Sequence, residues 1–391
     1  MKFLHGADLH LDRSFEGLTN VKNAFQPYLM EANQKMLENI VDLAIAEDVD
    51  FVLLAGDTFH QHRPTLKTQQ HFFAQMNRLA EKNIPVVMNF GNHDYYQSQR
   101  YWFDFPENMQ LFTDETVATK KLQLKNGQEI AISSFSFDGP IIEAEKIDQF
   151  PRKTSNFHIG MYHGGQFPYA PFTTSKLAEK GYDYWALGHI HVPQMVSEMP
   201  PAYYSGTPLG HTKKEKNLAG VLLVEELAGK IKLQKVPVAP VVWQELTISL
   251  KEIRRSNQLL PYLVSRIAMT QPTLIQLKLT DNPTLAEEIQ YQLASGELLE
   301  TLNTSLPAEI FVTEVAFTST TNERHYLAVD ECLVDQLLTT YQSEAVFTEQ
   351  LAEVNPKLQE LLTADFQTEV LQNVQEKIKQ AYRFRREKDV D

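Results

Sequence analysis

Ile84-Pro85-Val86-Val87-Met88-Asn89-Phe90, followed at once by Gly91-Asn92-His93-Asp94, is the stretch on which the fold turns. A short apolar run closed by glycine and then by polar groups predicts a buried strand ending in a loop, with side chains delivered at the strand's carboxyl end. Asn92 offers a neutral oxygen to a metal, His93 can donate a proton, and Asp94 can hold that imidazole in one tautomer. Alone these four residues would be weak evidence. Four other short apolar runs among residues 1–191 also end in Asp or His.

Residues 2–7 read as a strand followed by Asp8 and His10. In extended backbone those two side chains share a face, so a carboxylate and an imidazole can meet one ion. His5, inside the strand, reads as a hydrogen-bonded core residue. Residues 51–55 are uninterrupted apolar sequence, as for a strand covered on both faces, and end at Gly56-Asp57. Residues 157–162 end at His163-Gly164-Gly165, and residues 184–187 at Gly188-His189-Ile190-His191. Helical spacing over 27–48 and 68–82 separates the first three strands, which predicts a largely parallel sheet with right-handed crossovers and a site at its carboxyl edge.

Further along, 95–114 reads as an aromatic loop with a short helix over the site, and Asn126-Gly127 as the turn of a hairpin between 122–125 and 129–134. Closing strands are expected at 203–205, 220–225 and 230–236, then a linker at 237–240. Strands at 243–250, 273–279 and 310–317, with helices over 251–268 and 286–301, predict a small α+β domain. Beyond about Asp330, Val334, Leu337, Leu338 and Tyr341 make one helical stripe, and Val370, Val374 and Ile378 another. Packing within the chain and docking onto a partner explain such stripes equally well. The basic end, with Lys377, Lys379, Arg383, Arg385, Arg386 and Lys388, reads as a solvated terminus or a phosphate or acidic-surface contact.

A chain of 391 residues is long enough for two or three domains, placed at 1–240, 241–325 and 326–391. Its 43% apolar and 22% charged residues are those of an ordinary soluble protein, so the class is globular. The single cysteine, Cys332, excludes an internal disulfide and reads as a small buried hydrophobe in a reducing compartment. The first eleven residues carry Asp8 and two histidines and so are no signal peptide, and no run approaches a membrane span. The expectation is a cytoplasmic protein without membrane contact. A net charge of −14 argues against wrapping nucleic acid over a broad basic surface, but not against a nucleic-acid enzyme, because bound divalent cations reverse the local field.

Asp8, His10, Asp57, Asn92, His163, His189 and His191 form a set of oxygen and nitrogen donors without thiolate. That set suits two divalent ions, Mn²⁺ first, with Fe²⁺ or Zn²⁺ as alternatives. Two ions roughly 3.5–4 Å apart need a carboxylate between them, and Asp57 is the natural bridge. Taken singly, an Asp after a strand is usually a cap and a His usually a satisfied core or surface group. Seven of them at strand ends outweigh that reading, whereas His62, His71, His158, His211 and His325 keep it. Arg63 fits either a phosphate or an acidic neighbour.

The order Asp-x-His, Gly-Asp, Gly-Asn-His-Asp, His-Gly, Gly-His-x-His resembles that of calcineurin-like metallophosphoesterases. More narrowly, Leu4-His5, Ala7-Asp8-Leu9-His10, Gly56-Asp57-Thr58-Phe59-His60 and Arg63-Pro64 resemble the SbcD-type DNA repair exonucleases, and the whole chain looks similar to their bacterial YhaO branch. The resemblance implies an α/β sandwich of two mixed β-sheets flanked by helices, then a small α+β capping domain and C-terminal helices. It places Asp8, His10, Asp57 and His191 on one ion and Asp57, Asn92, His163 and His189 on the other. It makes His93 the proton donor or phosphate clamp with Asp94 orienting it, puts His60 on the substrate phosphate, and leaves an activated water as nucleophile. The partners it implies are DNA and an SMC-like coiled-coil ATPase of YhaN or SbcC type, with a second copy of the chain as a further candidate. Two other readings stay open: a calcineurin-like phosphatase or phosphodiesterase acting on a non-DNA ester, and an assembly protein whose metal site is largely structural.

Overall fold

The buried apolar runs become strands that each serve two cores, because successive side chains point to opposite faces. The structure is a computed structural model and describes residues 1–216, 220–281 and 285–318 together with Asn373. Residues Met1–Thr320 form one compact unit. Within it β1 (Lys2–Gly6), β2 (Phe51–Ala55), β3 (Val86–Asn89) and β4 (Met109–Leu111) are neighbouring parallel strands. A second sheet holds β5 (Ala118–Gln123), β6 (Glu129–Ser134), β7 (His158–His163), β8 (Tyr184–Gly188), β9 (Gln194–Glu198) and β10 (Pro201–Tyr204), in the order β5-β6-β7-β8-β10-β9. The chain then returns to the first sheet, where β11 (Val221–Leu227) lies antiparallel to β1 and β12 (Lys230–Val236) lies outside it. Both six-stranded sheets are mixed, as expected.

Alternation along β2 shows how the layers stack. Phe51, Leu53 and Ala55 pack with Ile159, Met161, Tyr184 and Ala186 of the second sheet, while Val52 and Leu54 face α1 (Gln26–Ala46) and α2 (Leu66–Glu81). On the far side of the second sheet Tyr162, Trp185 and Leu187 pack with Phe150 and with Leu177 of α3 (Thr174–Glu179). The result is helix, sheet, sheet, helix. α2 begins where the Thr65 hydroxyl accepts from the Thr68 amide at 3.1 Å, a cap worth about 1 kcal/mol.

A third, all-parallel sheet joins β13 (Val242–Ser249), β14 (Thr273–Thr280) and β15 (Ile310–Thr318). It has its own core with α4 (Leu259–Arg266), α5 (Ala286–Ser295) and α6 (Glu297–Ser305). Trp243, Leu274 and Phe311 also join the core under α1, and the Trp243 indole N–H donates to the Gly210 carbonyl at 3.0 Å. The segment expected as a linker is packed rather than free: Val238 is buried and its carbonyl accepts from Asn39 at 2.9 Å.

Other expectations change. The stretch at 95–114 contains a 3₁₀ turn, Ser98–Arg100, but also the short strand β4. The helix expected over 286–301 is two helices, broken at Gly296, whose φ of 79° is left-handed. The helix expected over 251–268 shrinks to a 3₁₀ turn and α4. The stripes at Val334–Tyr341 and Val370–Ile378, Cys332, His325 and the basic end lie outside the described residues. Among the described residues no helix is long and apolar enough to cross a membrane.

Candidate metal centre

β1, β2 and β3 are mutually parallel, and so are β7 and β8. The carboxyl ends of these strands and the segments after them carry all seven candidate ligands to one cluster, His163 as the last residue of β7. Asp8 and His10 do not get there as alternate residues of an extended strand, which corrects the expectation. β1 ends at Gly6, and Asp8, His10 and Asp57 have φ of 54°, 46° and 50°, a left-handed conformation that Asp and His tolerate better than most residues. The two tails lock together instead: the amides of Asp8, His10 and Leu11 donate to the carbonyls of Gly56, Asp57 and Thr58, each at 3.0 Å.

The geometry around His163 shows what the cluster is built to hold. Its Nδ1 lies 3.0 Å from the Ala55 carbonyl and must donate there, so Nε2 presents its lone pair. That nitrogen faces the Asn92 Oδ1 at 3.2 Å and the Asp57 Oδ2 at 3.4 Å, and the same Asn92 oxygen lies 3.1 Å from the His189 Nδ1. On the other side the His10 Nε2 is 3.1 Å from the His191 Nε2 and 3.9 Å from the Asp57 Oδ2. Electron-pair donors that converge on one another are satisfied by a cation. Among the described residues two groups of closely spaced donor atoms result, Asp8 with His10 and His191, and Asp8 with Asp57 and His163. The residues present therefore fit a pair of divalent ions. The Asp57 Oδ2 lies 3.4 Å from the His163 Nε2 and 3.9 Å from the His10 Nε2, whereas Asp8 is the residue common to both groups. Two glycines make room. A Cβ at Gly91 would lie 2.2 Å from the Asp57 Oδ1, and one at Gly56, whose φ is +84°, would lie 2.2 Å from the His163 Nδ1.

Burial of this much charge shifts every group in it. Burial, the largest influence, lifts Asp8 to about 6 and drops His189 to about 3. Asp57 stays far below the usual carboxylate range: burial opposes its ionisation most strongly, but the charges of His163, His10 and His93 overcome it. His163 is the mirror image, depressed by burial yet lifted to about 9, chiefly by Asp57. In chelator-treated protein that extra proton on His163 contributes stability fully present below its unfolded pKa of about 6.5 and lost as pH rises through about 9. Metal-loaded protein runs the other way, because ions must displace the same proton. The rise in Tm on adding a divalent ion that the centre binds is therefore expected to grow as pH increases from 6.5 to 9, measured by calorimetry at fixed ion concentration; a Tm increment flat across that window contradicts it.

His93 lies beside this cluster. Its Nδ1 is 3.1 Å from the His60 carbonyl, its backbone N–H donates to the Asp57 Oδ1 at 3.0 Å, and its ring stacks on His60 with centroids 4.7 Å apart. Asp94 is not its orienting partner, which corrects the expectation. Both Asp94 oxygens are taken by backbone amides, Oδ1 by Gly91 at 2.8 Å and Oδ2 by Thr58 at 2.8 Å and Phe59 at 3.2 Å. Asp94 thus ties the loop after β3 to the loop after β2. His60 presents its Nδ1 3.4 Å from the His10 Nδ1, and its amide donates to Asp12 at 2.6 Å. Arg63 is exposed and makes no ion pair with another described residue. His5 is the core residue expected, bonded to the Tyr184 hydroxyl at 3.0 Å and the Leu187 carbonyl at 3.2 Å.

The sequence reading missed the support around the ligands. Glu215 bonds His191, Asp12 holds the loop at His60, and the Thr207 hydroxyl donates to the Asp8 carbonyl at 2.9 Å. Asp12 stands two residues after His10, so its proximity to the motif was available as a signal. Glu215 and Thr207 lie in no motif, and only the folded chain brings them in.

A model of the family described as calcineurin-like phosphoesterase matches residues 1–193. The metallophosphoesterase YhaO of Bacillus subtilis is 33% identical over 309 residues, covering 77% of this chain and 74% of that protein. The SbcD component of the nuclease SbcCD of Bacillus subtilis is 24% identical over 293 residues, covering 64% of this chain and 70% of its own. The DNA double-strand break repair protein Mre11 of Methanopyrus kandleri is 24% identical over 240 residues, 53% of this chain and 49% of that one.

Proposed function

The chain belongs to the calcineurin-like metallophosphoesterases, and from that premise we propose that it is a two-metal DNA exonuclease of repair, working with an SMC-like coiled-coil ATPase. The observation that carries this reading is the length of the match to the SbcD component. It takes in 64% of this chain and 70% of that protein, a larger share of the chain than the 193 residues of the family model. The third sheet appended to the sandwich also favours a large substrate, since a small ester needs no such addition.

In this reading Asp8, His10, Asp57 and His191 hold one divalent ion and Asp57, Asn92, His163 and His189 the other, with Mn²⁺ as the ion. When bound, the two ions supply Lewis-acid activation of water and neutralise charge on the phosphate. The protein does the rest by placement. His93 spends its Nδ1 on the His60 carbonyl and so has only Nε2 with which to hold or deliver a proton at the leaving oxygen. His60, stacked on His93, and Arg63, exposed and without an ion pair among the described residues, are the groups assigned to the non-bridging phosphate oxygens.

End-labelled duplex incubated with purified protein and Mn²⁺ tests the substrate. Stepwise loss of labelled nucleotides is the expected result. Intact DNA alongside cleavage of a generic phosphate ester would transfer the reading to a phosphatase or phosphodiesterase. Bound ions with no hydrolysis of either would leave an assembly role.

A further inference from the structure

Glu215 lies outside every strand and motif, yet four donors converge on it. Its Oε1 is 2.5 Å from the His191 Nδ1 and accepts from the Arg13 guanidinium at 3.1 Å. Its Oε2 accepts from the backbone amides of His211 at 2.7 Å and Thr212 at 3.1 Å. We propose that Glu215 is a positioning residue that fixes the tautomer and tilt of His191 and thereby sets the affinity of one of the two ion subsites. The inference rests on the two-ion reading of the centre.

A carboxylate in this position can only accept, so the His191 Nδ1 carries the proton and Nε2 is left to present its lone pair toward His10. The His191 side chain is 27% exposed, and among the described residues its ring has only Glu215 and His10 as hydrogen-bond partners. Without the carboxylate the ring is free to turn toward solvent or to exchange tautomers. Glu215, by contrast, is itself held. Its side chain is 10% exposed, and the short loop that bears it is pinned on both sides to the third sheet. Lys213 pairs with Glu314 of β15 at 3.0 Å, Lys216 pairs with Glu245 of β13, and the Trp243 indole bonds Gly210. The third sheet thus props, through one loop, a group that a metal ligand depends on.

The test is calorimetric titration of Mn²⁺ into the metal-stripped full chain. Wild type is expected to take up two ions. In Glu215→Gln the amide keeps the size but turns one acceptor into a donor facing other donors. One ion should then bind as in wild type and the other about 10- to 100-fold more weakly. Nitrogen-15 spectra should show His191 passing from a single Nδ1–H tautomer to a mixture. Glu215→Ala should lose at least as much; if it does not fold, Glu215→Gln decides. A purely structural role would lower Tm and leave both affinities in place. That outcome, two ions at wild-type affinity in Glu215→Gln, overturns the proposal. A wild-type chain that binds no ion would instead sink the two-ion reading and this inference with it.

Discussion

Asp57→Asn is expected to reduce phosphoester hydrolysis by at least about 10³-fold and to cut the uptake of divalent ions below two per chain. The size follows from a Lewis-acid contribution of several kcal/mol at about 1.4 kcal/mol per tenfold in rate. Geometry explains why so small a change should have that effect. The Asp57 Oδ2 lies 3.4 Å from the His163 Nε2 and 3.9 Å from the His10 Nε2, while Oδ1 accepts the His93 amide at 3.0 Å. An asparagine with its NH₂ at the Oδ2 position sets a donor where an ion needs an acceptor. Turned over, it sets the NH₂ against the His93 N–H, donor against donor. Neither orientation is satisfied, and one of the two buried negative charges shared by the centre is gone. The measurements are a steady-state rate and an ion titration on protein whose fold is checked by circular dichroism. Two bound ions and a near wild-type rate would remove Asp57 from the role of bridge.

The candidate ligands were legible as a cluster because each sits just beyond an apolar run, and parallel strands place such positions together whatever their separation along the chain. His163 and Asp57 are neighbours here because β7 and β2 lie in facing sheets with their ends at one edge. The same logic fails for residues whose partner is backbone. Asp94, next to His93, reads in the sequence as its orienting group, yet the amides of Gly91, Thr58 and Phe59 occupy it and the His60 carbonyl takes the imidazole. Backbone carbonyls carry no side-chain signature, so such a partner cannot be read from residue types. Glu215 was illegible for another reason: its loop gains its place only from contacts with β13 and β15, strands further along the chain. The break between α5 and α6, on the other hand, was there to be read. Gly296 followed by the acidic start Glu297 is the pattern of one helix ending and another beginning.

If the chain is the DNA nuclease proposed above, His93→Ala is expected to lower kcat on DNA by about 10²- to 10⁴-fold, the range for loss of a positioned general acid, while two ions still bind with wild-type affinity. The separation follows from where the residue stands. Its ring belongs to neither group of converging donor atoms, and the contact it makes with Asp57 is through the backbone amide, which alanine retains. What alanine removes is the Nε2, the ring nitrogen left free once Nδ1 bonds the His60 carbonyl. If that nitrogen delivers a proton to the leaving oxygen, the loss should depend on the leaving group. A nitrophenyl ester, whose departing oxygen needs no proton, should lose far less than DNA, whose sugar alkoxide does. Equal losses on both substrates would assign His93 to clamping the phosphate instead. A variant that binds both ions and cuts DNA at nearly the wild-type rate would take His93 out of the chemistry altogether, and would leave the His60–His93 stack as a packing feature of the loop.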